Sequence, residues 1–107
     1  MTEKAWQTYV VDLAKWNGWH VYHPLPVRNE KGVWRTATQG DTGFPDLVLA
    51  HPTRGVIFAE LKSATGRLSD NQIQWIGTLK AAGAEVYVWR PSDRPQVTEI
   101  LTKDPTK

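Results

Sequence analysis

Residues 43–62 read Gly-Phe-Pro-Asp-Leu-Val-Leu-Ala-His-Pro-Thr-Arg-Gly-Val-Ile-Phe-Ala-Glu-Leu-Lys, and this stretch decides the fold. Leu47–Ala50 and Val56–Ala59 are continuous apolar runs, the pattern of strands covered on both faces. Between them His51-Pro52-Thr53-Arg54-Gly55 carries the proline and glycine of a turn. A hairpin with His51 opposite Gly55 pairs Ala50 with Val56, Val48 with Phe58, and Asp46 with Glu60. Like charges directly across a ladder are destabilising. Ionised groups at the margin of a core are unfavourable unless paired or bound to metal. A divalent cation between the two acids resolves that conflict.

The alternation of a strand extends the group. Glu60 and Lys62 are two apart, so they share a face with Asp46, while Leu61 points to the other. Two carboxylates, the backbone carbonyl of Leu61 and waters make a hard oxygen set that suits Mg²⁺ or Mn²⁺. Such an ion polarises a phosphoryl oxygen. Lys62 beside it is placed to orient an attacking water or to offset charge in the transition state.

Outward from the hairpin, Trp6, Tyr9, Val10 and Leu13 recur at helical spacing, predicting a helix from Thr2 to Asn17 that Gly18 stops. Trp19–His23 predicts a strand ended by Pro24 and Pro26. Residues 29–32 predict a turn, and the polar residues 35–42 a loop or weak strand. Ser69 with Gln72 has the spacing of a capping box at the head of a second helix, with Ile73, Ile76 and Leu79 as its apolar stripe and Gly83 as its stop. Glu85–Trp89 predicts a strand, and a short helix is expected around Gln96 to Leu101. The order α-β-β-β-α-β implies an α/β fold, a mixed sheet with a helix on each side.

At 107 residues the chain is one domain with one core, placed at about residues 2–90 with 91–107 as a tail. With no cysteine it has no disulfide framework, thiolate zinc site or thiol nucleophile. No apolar stretch approaches a membrane span, and Met1-Thr2-Glu3-Lys4 lacks the features of a signal peptide, so the expected location is the cytoplasm. A net charge of +2 permits a polyanionic partner without requiring one.

The residues then carry a resemblance. Gly40-Asp41-Thr42-Gly43-Phe44-Pro45-Asp46, Glu60-Leu61-Lys62, Gly66, Ser69 and Gln72, with an apolar strand after Gly83, resemble the VRR-NUC nucleases of the PD-(D/E)XK superfamily. The resemblance implies a restriction-endonuclease-like core that hydrolyses DNA phosphodiesters with Mg²⁺ or Mn²⁺. It implies that Asp46, Glu60 and the Leu61 carbonyl hold metal, and that Lys62 is the catalytic lysine. Glu3 becomes a helix-borne acid, and Gln72 a polar residue beside the site. The chain is similar to standalone phage and bacterial members, which implies a homodimer acting on branched DNA such as Holliday junctions.

Several residues keep two readings. Asp46 and Glu60 fit a surface ion network with Lys62 and Arg67 as well as a metal site. Gln72 is either the capping partner of Ser69 or a site residue. Glu3 is either a third carboxylate or an acid favourable to the helix dipole. His20, His23 and His51 lack ligand spacing, which favours packing or solvation for each; His23 and His51 are also candidates to lie near the scissile phosphate. Arg28, Lys31, Arg35, Arg54 and Arg67 are candidate phosphate contacts. Trp34 is a candidate base-stacking residue, with a dimer interface or the core as its other reading. The alternative to an enzyme is an inactive nucleic-acid-binding or assembly module on the same fold.

Overall fold

The chain folds in the expected order, with a separate two-stranded ribbon inserted between the first strand and the hairpin. A computed structural model describes residues 1–24, 27–28, 30–32, 34–35 and 40–103. The elements are α1 (Glu3–Trp16), β1 (His20–Tyr22), β2 (Val27–Arg28), β3 (Trp34–Arg35), β4 (Leu47–His51), β5 (Gly55–Leu61), α2 (Asp70–Ala81), β6 (Glu85–Trp89) and α3 (Arg94–Thr102), with a 3₁₀ turn at Pro91–Asp93. The main sheet runs β1-β4-β5-β6, and β2 and β3 form a separate small ribbon. β1–β4 and β4–β5 are antiparallel, whereas β5–β6 is parallel and joined through α2, as a parallel pair requires a crossover. Among the described residues no helix is long and apolar enough to cross a membrane.

The β4–β5 register is the one read from the hairpin, with His51 opposite Gly55, Ala50 opposite Val56 and Val48 opposite Phe58. Strand alternation then sorts the residues into two unequal faces. Leu47, Leu49, Ile57, Ala59 and Leu61 are fully buried against Trp6, Val10 and Ala14 of α1 and Val97 and Leu101 of α3. Full burial of each such aliphatic side chain is worth about 1.5–3 kcal/mol. The opposite face carries Val48, Phe58, Glu60 and Lys62, and among the described helices α2 packs there, near β6, with Phe44 against Phe58.

That asymmetry corrects two expectations. The apolar runs are not covered equally on both faces: Val56 is 48% exposed, because one helix cannot span four strands. For the same reason the α2 stripe is thin, with Ile76 buried, Leu79 half-buried and Ile73 exposed. The third correction concerns the segment read as a tail. Val97 and Leu101 place α3 in the core, and Trp19 Nε1 donates to the Leu101 carbonyl at 3.0 Å. Trp6 Nε1 likewise donates to the Trp89 carbonyl at 3.0 Å, so two of the tryptophans fasten the termini of the fold through their polar edges.

Both long helices start as the capping rules require. The Thr2 hydroxyl accepts from the Ala5 amide at 3.0 Å. Ser69 Oγ accepts from the Gln72 amide at 3.2 Å, while Gln72 Oε1 accepts from the Ser69 amide at 2.8 Å.

Candidate active site

Three chain segments meet on the α2 side of the sheet. Asp46 immediately precedes β4, Glu60 and Leu61 end β5, Lys62 follows them, and Gln72 lies in the first turn of α2. Asp46 Oδ2 accepts from the Leu61 amide at 3.0 Å, which continues the hairpin past its last ladder pair and locks the carboxylate beside Glu60. Lys62 Nζ stands 3.5 Å from Glu60 Oε2, and Gln72 Nε2 donates to the same oxygen at 2.9 Å. Gln72 therefore makes two contacts at once: its oxygen closes the capping box and its amide nitrogen holds Glu60. The Lys62 side chain is largely shielded, and its amide donates to the Trp89 carbonyl at 3.1 Å.

Glu60 is the unusual member. It is 1% exposed, and its buried Oε1 has no hydrogen-bond donor among the described residues, with the Asp46 carboxylate as a neighbour. Burial first, and then the charge on Asp46, push its carboxyl up to about 8 against the opposing pull of Lys62. A buried, unsatisfied carboxylate oxygen is unfavourable in itself. Its placement beside a second carboxylate makes an oxygen set suited to a hard divalent cation, which would supply the missing partner. The donor set thus fits the ion that the sequence implies. Among the described residues, however, no three acid or histidine side chains converge to hold a metal.

The loop before Asp46 is held by close packing on α2. Gly43 has φ +96°, and a Cβ there would sit 2.7 Å from the backbone of Asn71. Beside it Asn71 Nδ2 donates to Thr42 Oγ1 at 2.8 Å, and the Phe44 ring meets Trp75 edge-on at 5.0 Å. Gly43→Ala is expected to destabilise the fold by about 2 kcal/mol, since a strained backbone conformation alone is worth about 1–3 kcal/mol. Urea unfolding checks this; an unchanged midpoint would show that the loop can move off α2. On the other side of the site, Arg90 Nη1 donates to the carbonyls of Ser63 at 2.7 Å and Gly66 at 2.6 Å, tying down the loop after Lys62.

The remaining expected residues are placed differently. Glu3 is exposed in the first turn of α1 and joins no acid cluster; the favourable charge at the helix N-terminus is the role its position supports. Arg54 is engaged within the fold: its guanidinium lies 5.6 Å from the Trp19 ring centre and donates to the Lys103 carbonyl at 2.6 Å. These contacts hold the hairpin turn to the end of α3. Arg67 is exposed in the loop after Lys62, and Lys31 is exposed in the turn between β2 and β3. The side chains of Arg28, Trp34 and Arg35 lie outside the described parts of the chain, as do residues 36–39. Sequence reading gave no role to Arg90, because an arginine before a proline carries no local signal of the carbonyls it will meet.

The comparisons with known proteins bear on this geometry. No curated protein and no solved structure matches the chain. The family model described as the VRR-NUC domain matches residues 21–93. That span runs from within β1 through β6, takes in the whole Asp46, Glu60, Lys62 and Gln72 group, and leaves α1 and α3 outside. A match over well more than half of the 107 residues, centred on the carboxylate hairpin, establishes that this chain belongs to the VRR-NUC family of nuclease domains.

Proposed function

We propose that this VRR-NUC domain is a Mg²⁺- or Mn²⁺-dependent endonuclease that hydrolyses DNA phosphodiesters, with branched DNA as its substrate and a homodimer as its working form. The observation that carries the metal-dependent reading is the buried Oε1 of Glu60, without a donor among the described residues, beside Asp46 and Lys62. The branched substrate and the homodimer rest on the resemblance to standalone members of the family. Asp46, Glu60 and the Leu61 carbonyl are the groups that would hold the ion. When bound there, a divalent cation supplies Lewis-acid polarisation of the scissile phosphoryl group.

The chain's own groups do the rest. In hydrolysis a water oxygen bonds to phosphorus, the bond from phosphorus to one sugar oxygen breaks, and that oxygen leaves with a proton. Negative charge grows on the non-bridging oxygens as this happens. The Lys62 ammonium, anchored 3.5 Å from Glu60, offers donors to that charge and orients the incoming water. Gln72 keeps Glu60 in place, with its amide fixed at both ends by the capping box and the carboxylate. Asp46 is fixed by the Leu61 amide, so neither acid has to reorganise when substrate arrives. Exposed Arg67, five residues beyond Lys62, is placed to meet the DNA backbone.

Two measurements test the proposal. Mn²⁺ or Ca²⁺ is expected to raise the melting temperature by linkage, by about 2.7 kcal/mol of added stability at a hundredfold excess over Kd. Asp46→Ala is expected to abolish that rise. Cleavage of labelled duplex, single-strand, flap, splayed-arm and four-way-junction DNAs then reads the substrate. Absence of any thermal shift in the wild type at millimolar metal, together with intact DNA binding, would favour the inactive binding module instead.

A further inference from the structure

His23 contacts the site from the side of the sheet opposite α2. It follows β1, and strand alternation turns it toward α1, where its Nε2 meets the Gln7 side-chain amide nitrogen. Its Nδ1 lies 2.9 Å from the backbone carbonyl oxygen of Asp46. A carbonyl can only accept, so Nδ1 carries the proton, and Nε2 accepts from Gln7. The other histidines do nothing comparable: His20 is exposed, and His51 Nδ1 accepts from the Thr53 amide in the hairpin turn.

The contact lies where the strand pairing stops. β1 and β4 pair His20 with Ala50 and Tyr22 with Val48, and the ladder ends there, short of Pro24 and Asp46. Proline has no N–H with which to extend it. The imidazole donates to the Asp46 carbonyl beyond the ladder's end. Asp46 is consequently held at two points, its carbonyl by His23 and its Oδ2 by the Leu61 amide.

We infer that His23 is the positioning residue for Asp46, fixing the carboxylate for metal binding through an Nδ1–H bond that Gln7 orients from α1. The inference rests on the proposed function only for the role of Asp46. Its chemistry is that of an outer-sphere clamp, and removal of such clamps lowers metal affinity or activity by about 10–100-fold.

Three variants of the full chain decide it. In His23→Asn the side-chain amide nitrogen occupies nearly the place of Nδ1, so the donor is kept. His23→Phe keeps the ring and removes the donor, and Gln7→Leu removes only the orienting contact. Mn²⁺ titration by calorimetry is expected to give a Kd raised about tenfold in His23→Phe and changed less than about threefold in His23→Asn. Single-turnover cleavage is expected to fall in His23→Phe with the DNA dissociation constant unchanged, and Gln7→Leu is expected to lie between the two. Long-range ¹H–¹⁵N correlation on the metal-free wild type is expected to show the Nδ1–H tautomer, a readout that needs neither activity nor a folded variant. An Nε2–H tautomer overturns the inference, and so does His23→Asn behaving no better than a folded His23→Phe. Wild-type protein that binds no Mn²⁺ overturns the metal reading above and leaves the clamp to be decided by the tautomer.

Discussion

Lys62→Ala is expected to lower the single-turnover rate of DNA cleavage by about 10²–10³-fold, the usual loss when one donor aimed at developing charge is removed. DNA affinity is expected to stay within about twofold, because an interaction made mainly in the transition state affects the rate and spares ground-state binding. The geometry explains the expected size. Lys62 is not a solvated lysine: its side chain is 14% exposed, its amide is bonded to the Trp89 carbonyl, and its ammonium is anchored by Glu60. The loop that follows it is tied by Arg90 to the carbonyls of Ser63 and Gly66, so the amine has little freedom to search. A preorganised charge in a shielded site acts without reorganisation at the moment of reaction. Cleavage measured with enzyme in excess, beside fluorescence anisotropy for binding, separates the two quantities. A Lys62→Ala protein that cuts at the wild-type rate would remove the amine from the mechanism.

The second large effect is on stability, and its sign follows from Glu60. The carboxyl is pushed up to about 8 in the folded protein from an ordinary 4.5 in the unfolded chain. Between those values the folded state binds a proton that the unfolded state has lost. Stability in the absence of divalent metal must therefore fall as pH rises through this window, by at most about 1.4 kcal/mol per pH unit. Below about 4.5 both states are protonated and this group contributes no pH dependence. Glu60→Gln keeps the shape and removes the titration. The wild type is thus expected to lose roughly 15–30 °C in melting temperature between pH 5 and pH 8 relative to Glu60→Gln, since about 3–4 kcal/mol is lost over that window and 1 kcal/mol corresponds to about 4–8 °C for a domain of this size. Divalent metal is expected to restore the wild type at pH 8 and leave Glu60→Gln unaffected, because cation and proton compete for the same carboxylate. Glu60→Gln is also expected to be inactive, which makes it a variant that is more stable at pH 8 for the very reason that it does not cut. Parallel melting curves for the two proteins in EDTA would contradict this account of Glu60.

These two expectations start from residues legible in the chain, and the parts that were legible share a cause. Strand period and hairpin register are local properties. Apolar runs on either side of a short turn admit one pairing that keeps every partner apolar, and the structure adopts it from His51–Gly55 to Leu47–Ala59. The capping box was legible for the same reason, since Ser69 and Gln72 are three residues apart. The α3 helix was legible as a helix and not as core. Whether Val97 and Leu101 bury depends on a sheet face assembled mostly from β4 and β5, far earlier in the chain.

The sequence by itself therefore determined which residues share a face: Asp46, Glu60 and Lys62 follow from a period of two and one hairpin register. Only the tertiary structure decided what that sharing is worth. It buries Glu60 until one oxygen has no hydrogen-bond partner among the described residues, gives Gln72 two contacts at once, leaves Glu3 exposed, and ties Arg54 to the end of α3. It also brings His23 to the Asp46 carbonyl beyond the end of the β1–β4 ladder. The physical reason is one of range. A side chain's direction is set by its neighbours in the chain, whereas its desolvation and its partners are set by whatever the packed fold places against it.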